Sequence, residues 1–138
     1  MKGTSTAFEA RELEIPADLE RLHEAREWAR QLANEFGLGE HDCFQVKLAM
    51  SEAVTNAIIH GSHREGDVVG LAASADGDLL VFEVSDRGHD NPAGDLVERL
   101  AEGGRGLELV STVMDEVELV RRGSGGLLRF GKSREAYT

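Results

Sequence analysis

Residues 51–61 read Ser-Glu-Ala-Val-Thr-Asn-Ala-Ile-Ile-His-Gly, setting an acid, a carboxamide and an imidazole at intervals of four: Glu52, Asn56 and His60. On a helix that spacing lines the polar side chains along one stripe, with Met50, Ala53, Val54, Ala57 and Ile58 mostly on the opposite, apolar side. Such a stripe has definite chemistry available to it. An Asn carbonyl oxygen is a hard, neutral ligand suited to Mg²⁺, and a carboxylate one turn earlier can take a proton from a nucleophile.

Two further polar clusters follow. Residues 85–90, Ser-Asp-Arg-Gly-His-Asp, come directly after the apolar run Leu79, Leu80, Val81, Phe82 and Val84. A carboxylate at the end of a strand, here Asp86, accepts a hydrogen bond from an exocyclic amine such as adenine N6, and Gly88 lets the backbone approach a ring. Taken alone, Asp-x-Gly is weak and reads more readily as a turn. Further on, Gly103, Gly104, Arg105, Gly106 and Leu107 open a helix. Glycines before a helix expose backbone amides at its positive end, which suits phosphate oxygens, and Arg105 adds a full charge. Taken alone, this fragment also reads as a hinge before an ordinary helix.

The elements that must position these clusters alternate along the chain. Leu13 and Ile15 fall on one face of a strand over 8–15, with Glu12 and Glu14 on the other, and Pro16 closes it. Leu19, Leu22, Ala25, Ala29, Leu32, Ala33 and Phe36 recur at threes and fours, predicting a helix over 17–36 that Gly37 ends. An acidic entry at 39–42 begins a second helix, which runs to His60 and stops at Gly61. Strands over 68–75 and 79–85 flank a tight turn at Asp76, Gly77 and Asp78. The stretch 91–103, with Pro92, Gly94 and Gly103, reads as a mobile segment or lid, a long connection of the kind that is more often functional or disordered than incidental. A helix over 107–114 and strands over 117–120 and 127–130, around the glycine-rich 123–126, complete the pattern.

At 138 residues the chain fits one domain that buries its own core. Its formal net charge of −11, from 26 acidic and 15 basic residues, argues against direct binding to nucleic acid or an anionic membrane and suits a basic partner. The single cysteine, Cys43, forms no internal disulfide. The opening Met-Lys-Gly-Thr-Ser-Thr lacks the apolar core of a signal peptide, and no apolar run reaches the length of a membrane span, so the expected address is the cytoplasm.

Several tempting features read as structural. Gly126-Leu-Leu-Arg-Phe-Gly131-Lys132-Ser133 spells a P-loop, but Leu127, Leu128 and Phe130 look like strand residues inside the supposed loop and only five residues follow. His60 and His63 have no third ligand nearby for zinc. Cys43 reads as a half-buried structural thiol and Trp28 as packing on the first helix.

In this order the three clusters resemble the N box and the two glycine boxes of the GHKL ATPase superfamily. The resemblance is nearest to the bacterial anti-sigma-factor serine kinases of the SpoIIAB and RsbW type, and it runs from the first strand to about Lys132. It implies a two-layer α/β sandwich of the Bergerat type, a mixed, mainly antiparallel sheet with helices on one face. It implies a single domain over 1–138 with a structured core over about 8–132 and an ATP lid at 89–103. Carried over, Asn56 resembles the Mg²⁺ ligand and Glu52 the general base that activates a substrate serine. Asp86 resembles the adenine-reading carboxylate with Gly88 beside it, and Gly104, Arg105, Gly106 and Leu107 match the stretch that meets the ATP phosphates. The implied partners are a sigma factor, an anti-anti-sigma protein of the STAS type as substrate, and a second copy in a homodimer.

The chain departs from the family pattern in two places. His89, Asp90 and Asn91 follow where relatives often have another glycine, and Gly126-Leu127 stands where many have Gly-Thr with its hydroxyl near adenine. These departures motivate the alternative of a sigma-sequestering module without catalysis.

Overall fold

The hairpin expected at Gly77 lies at the middle of a five-stranded sheet. In the computed structural model, which describes residues 8–60, 66–86, 105–122 and 125–134, strands β2 (Val68–Asp76) and β3 (Leu79–Asp86) pair antiparallel, from Val69 opposite Asp86 to Asp76 opposite Leu79. Gly77 takes φ +61°, the left-handed region that a turn this tight demands and that glycine enters without steric cost. Strand β1 (Arg11–Pro16) lies outside β2, while β4 (Glu116–Arg122) and β5 (Gly125–Ser133) extend the other side, giving the order β1-β2-β3-β5-β4. All four described pairings are antiparallel, in keeping with the mainly antiparallel sheet expected.

Among the described residues three helices cover one face: α1 (Leu22–Phe36), α2 (Glu40–His60) and α3 (Arg105–Val113). The alternation of each strand decides which face they cover. Leu71 and Ala73 of β2, Leu80, Phe82 and Val84 of β3, and Leu128 and Phe130 of β5 are buried in one cluster with Ala29, Leu32, Val46, Met50, Val54 and Val110 of the helices. Burying each large apolar side chain contributes about 1.5–3 kcal/mol before entropy is counted. Phe82 and Phe130 stack at 5.7 Å across the β3–β5 pair, and Trp28 meets Phe82 edge-on at 6.1 Å, so Trp28 is packing, as its helix position suggested. On the opposite face Arg129 bonds Glu83 at 2.8 Å and reaches Glu118 at 3.6 Å, a charge ladder across three adjacent strands.

The first helix begins later than its pattern predicts. The Asp18 side chain accepts from the Glu20 amide at 2.9 Å and turns 19–21 into a 3₁₀ segment, so α1 starts only at Leu22. Its other end is as expected, with Gly37 at φ +99°. There Arg134 donates Nη1 to the Phe36 carbonyl at 2.9 Å, lies 4.5 Å above the Phe36 ring and bonds Asp78 at 2.7 Å. One guanidinium thus joins the end of α1 to the β2–β3 turn.

Candidate nucleotide site

The site is built on α2. The Cys43 amide donates to the Gly39 carbonyl at 2.9 Å, and Glu40 and Asp42 put negative charge in the first turn, where the helix dipole favours it. Cys43, Val46, Ala49, Met50, Ala53, Val54, Ala57 and Ile58 are buried, which fixes one stripe of the helix against the core. Glu52 and Asn56 fall at the margin of that stripe and both are half-buried. Four residues apart, they are separated by about 6 Å along the axis, close enough to serve one bound group.

The Asn56 side chain is an amide with a buried nitrogen. Among the described residues its buried Nδ2 has no hydrogen-bond partner, and no hydrogen bond or ion pair engages the Glu52 carboxylate. A buried donor left unpaired costs about 1–3 kcal/mol. Because that nitrogen is committed to no acceptor, the amide can present its oxygen to a cation without breaking a bond. One neutral oxygen beside one carboxylate suits Mg²⁺, which keeps most of its ligands as water and phosphate.

Helix α2 packs on β2, β3 and β5 and also against α3, so the elements carrying the three sequence clusters are neighbours. Asp86 ends β3, paired with Val69 of β2. Arg105, Gly106 and Leu107 form the first turn of α3, anchored by Val110 and Met114 in the core. Gly88, Gly104 and the stretch 89–103 lie outside the described residues, as do the side chains at 60, 86 and 105–107. The residues that spell a P-loop belong to β5, a continuous nine-residue strand that offers no loop to wrap a phosphate.

Leu127 pairs with Ser85 and Val120, and alternates with the core residues Leu128 and Phe130. It is 7% exposed on the face opposite the helices, so its side chain is directed away from the helix-covered face on which α2 lies. At the other end of α2, Cys43 is a structural thiol: its Sγ lies 3.5 Å from the Leu38 carbonyl and burial raises it above its ordinary pKa. A shallow opening beside it is lined by Arg30 and Lys47, both engaged by Glu27, and lies away from Asn56.

Two functional candidates escaped sequence reasoning, Lys132 and Asp42. Lys132 is 8% exposed and donates Nζ to the Val113 carbonyl at 2.8 Å, with Asp42 Oδ1 at 3.8 Å. The available signal was strand parity, since Lys132 alternates in phase with Leu128 and Phe130 and so had to enter the core.

A family model described as a histidine kinase-like ATPase domain matches residues 15–132, and the chain belongs to that family. Within it the similarity is to serine-protein kinase RsbW. The RsbW of Halalkalibacterium halodurans is 31% identical, over 88% of this chain and 81% of its own length. That of Bacillus velezensis is 34% identical, over 83% and 80%. Among solved structures, the RsbU and RsbW domains of Rv1364c from Mycobacterium tuberculosis superpose with a TM-score of 0.64 at 21% identity, covering 92% of this chain and 35% of that one. The histidine kinase domain of a blue-light activated kinase from Erythrobacter litoralis gives 0.53, also at 21% identity, covering 86% of this chain and 61% of that one. These two likenesses bear on the fold alone. Among the described residues no helix is long and apolar enough to cross a membrane.

Proposed function

We propose that this chain is an anti-sigma factor and an ATP-dependent protein serine/threonine kinase. It sequesters a sigma factor and phosphorylates a serine or threonine of an anti-anti-sigma protein of the STAS type. The observation that carries this reading is the margin of α2, where the Glu52 carboxylate and the unpaired Asn56 amide stand one turn apart. When bound, Mg²⁺ supplies charge neutralisation at the nucleotide phosphates, with Asn56 as its protein ligand. Asp86 accepts the adenine amine with Gly88 beside it, and Gly104, Arg105, Gly106 and Leu107 offer amides and charge to the phosphates. The substrate hydroxyl oxygen bonds to the γ-phosphorus as the bridge to the β-phosphate breaks, and its proton passes to Glu52.

The partners follow from the same family logic. A net charge of −11 suits the basic surface of a DNA-binding sigma factor, and the chain acts as a homodimer in the cytoplasm. Residues 89–103 form the ATP lid of a single domain. The alternative is a sigma-sequestering module without catalysis, motivated by Leu127 where relatives often have threonine and by His89, Asp90 and Asn91 at the start of the lid. The test is phosphate transfer from labelled ATP to a STAS-type protein by the wild type and by Glu52→Gln. The variant is expected to lose about a hundredfold or more in transfer rate while still binding ATP. A fully active Glu52→Gln enzyme would remove the assigned base.

A further inference from the structure

We infer that Lys132 is a positioning residue for the phosphate end of the proposed nucleotide site, acting through α3. The inference rests on the reading of the α3 N-terminus as a phosphate cradle, and it concerns a side chain that touches no nucleotide. Lys132 extends from β5 into the layer between sheet and helices. Val113, whose carbonyl it engages at 2.8 Å, is the last residue of α3, and Asp42, at 3.8 Å, lies in the first turn of α2. The ammonium group thereby satisfies a carbonyl without an intrahelical partner, complements the negative end of the helix dipole and is balanced by a carboxylate.

Its neighbours complete the clamp. The Asp115 amide donates to the Gly131 carbonyl at 2.9 Å, and the Ser133 amide donates to Asp115 Oδ2 at 2.6 Å. Three successive residues, Gly131, Lys132 and Ser133, therefore bolt the end of α3 and the residues after it to β5. They are the same triplet that spells the end of a false P-loop.

The clamp has an axial consequence. Helix α3 packs on α2 and is pinned at its C-terminus beside Asp42, so its N-terminus is carried toward the half of α2 that holds Glu52 and Asn56. Its nine residues span about 13 Å at 1.5 Å per residue, which measured along α2 from Asp42 reaches the neighbourhood of Ser51 and Glu52. Phosphate-binding amides act over hydrogen-bond distances of about 3 Å, so slippage of α3 by a fraction of a turn takes them out of reach of a group held by Asn56. An apolar residue at 132 would fill the space but leave the Val113 carbonyl and Asp42 without their cation.

The test compares Lys132→Met and Lys132→Arg with the wild type in the full chain, reading MgATP affinity by calorimetry and amide hydrogen exchange along the backbone. Lys132→Met is expected to bind ATP about tenfold more weakly and to exchange residues 105–113 about tenfold faster, with β2, β3 and α1 unchanged. Lys132→Arg restores both. Where Lys132→Met does not fold, Asp42→Asn serves, with an expected weakening of about threefold. Unaltered ATP affinity in Lys132→Met overturns the inference, as does exchange accelerated evenly across sheet and helices. A wild-type chain that binds no ATP overturns the nucleotide reading and the inference with it; a wild type that binds no better than Lys132→Met overturns the inference alone.

Discussion

Replacing Asn56 by alanine sets function against stability in one residue. Among the described residues the buried Nδ2 meets no acceptor, and a buried donor left so costs about 1–3 kcal/mol. Alanine removes that donor and gains up to about 0.7 kcal/mol of helix propensity in the interior of α2. Against this it forfeits the contacts of a half-buried side chain, about 1 kcal/mol by analogy with small core truncations. The balance favours the variant by about 1 kcal/mol, or roughly 3 °C in Tm for a chain of this size. Urea denaturation without ligand measures the difference directly. In MgATP at a hundredfold over Kd the wild type gains about 2.7 kcal/mol by mass action and the variant gains little, so the order of stabilities reverses. A ligand-free Asn56→Ala chain less stable than wild type by more than about 1 kcal/mol would refute the reasoning, because the amide would then be bonded rather than idle.

Other residues give independent checks. Arg134→Ala removes the bond to the Phe36 carbonyl and the contact with its ring, and is expected to lower stability by about 1–2 kcal/mol, the exposed Asp78 pair adding little; an unchanged urea midpoint would show the α1 clamp to be idle. Cys43, held protonated by burial, is expected to react with a thiol reagent at mildly alkaline pH far more slowly in the native chain than in denaturant, and equal rates would contradict its burial. The Arg11 guanidinium, by hydrogen bonding, holds Glu35 below its ordinary pKa, so the folded chain gives up that proton more readily than the unfolded one. This contribution is present above the ordinary carboxylate pKa and is lost as pH falls through the lowered value. Wild type and Arg11→Met are therefore expected to converge in stability in acid, and a gap that stays constant from neutral to acid pH would assign the effect elsewhere.

Local patterns carried most of the fold into the sequence. Glu52 and Asn56 could be placed because a helix repeats every three to four residues, so the residues that make α2 amphipathic also fix its polar margin. Gly37 and Gly77 marked an end and a turn because few other residues enter their conformations. What escaped depends on distant partners. Leu127 stands where relatives often have threonine, and the face on which it lies follows only from the β5 register that pairs it with Ser85. Lys132 looked like a motif fragment because Val113 and Asp42, the groups that give it meaning, are remote in sequence and meet it only through the β5 register and the packing of α3 on α2. The start of α1 was misplaced because the Asp18 cap competes locally with helix formation, which apolar spacing does not report.

The central claim is that the margin of α2 holds a magnesium-dependent nucleotide site. It is tested most directly by calorimetric titration of the full chain with ATP, with and without Mg²⁺. The account predicts saturable binding at one site per chain that Mg²⁺ strengthens and Asn56→Ala abolishes. An absence of binding at millimolar ATP, or binding indifferent to both Mg²⁺ and Asn56, would contradict it.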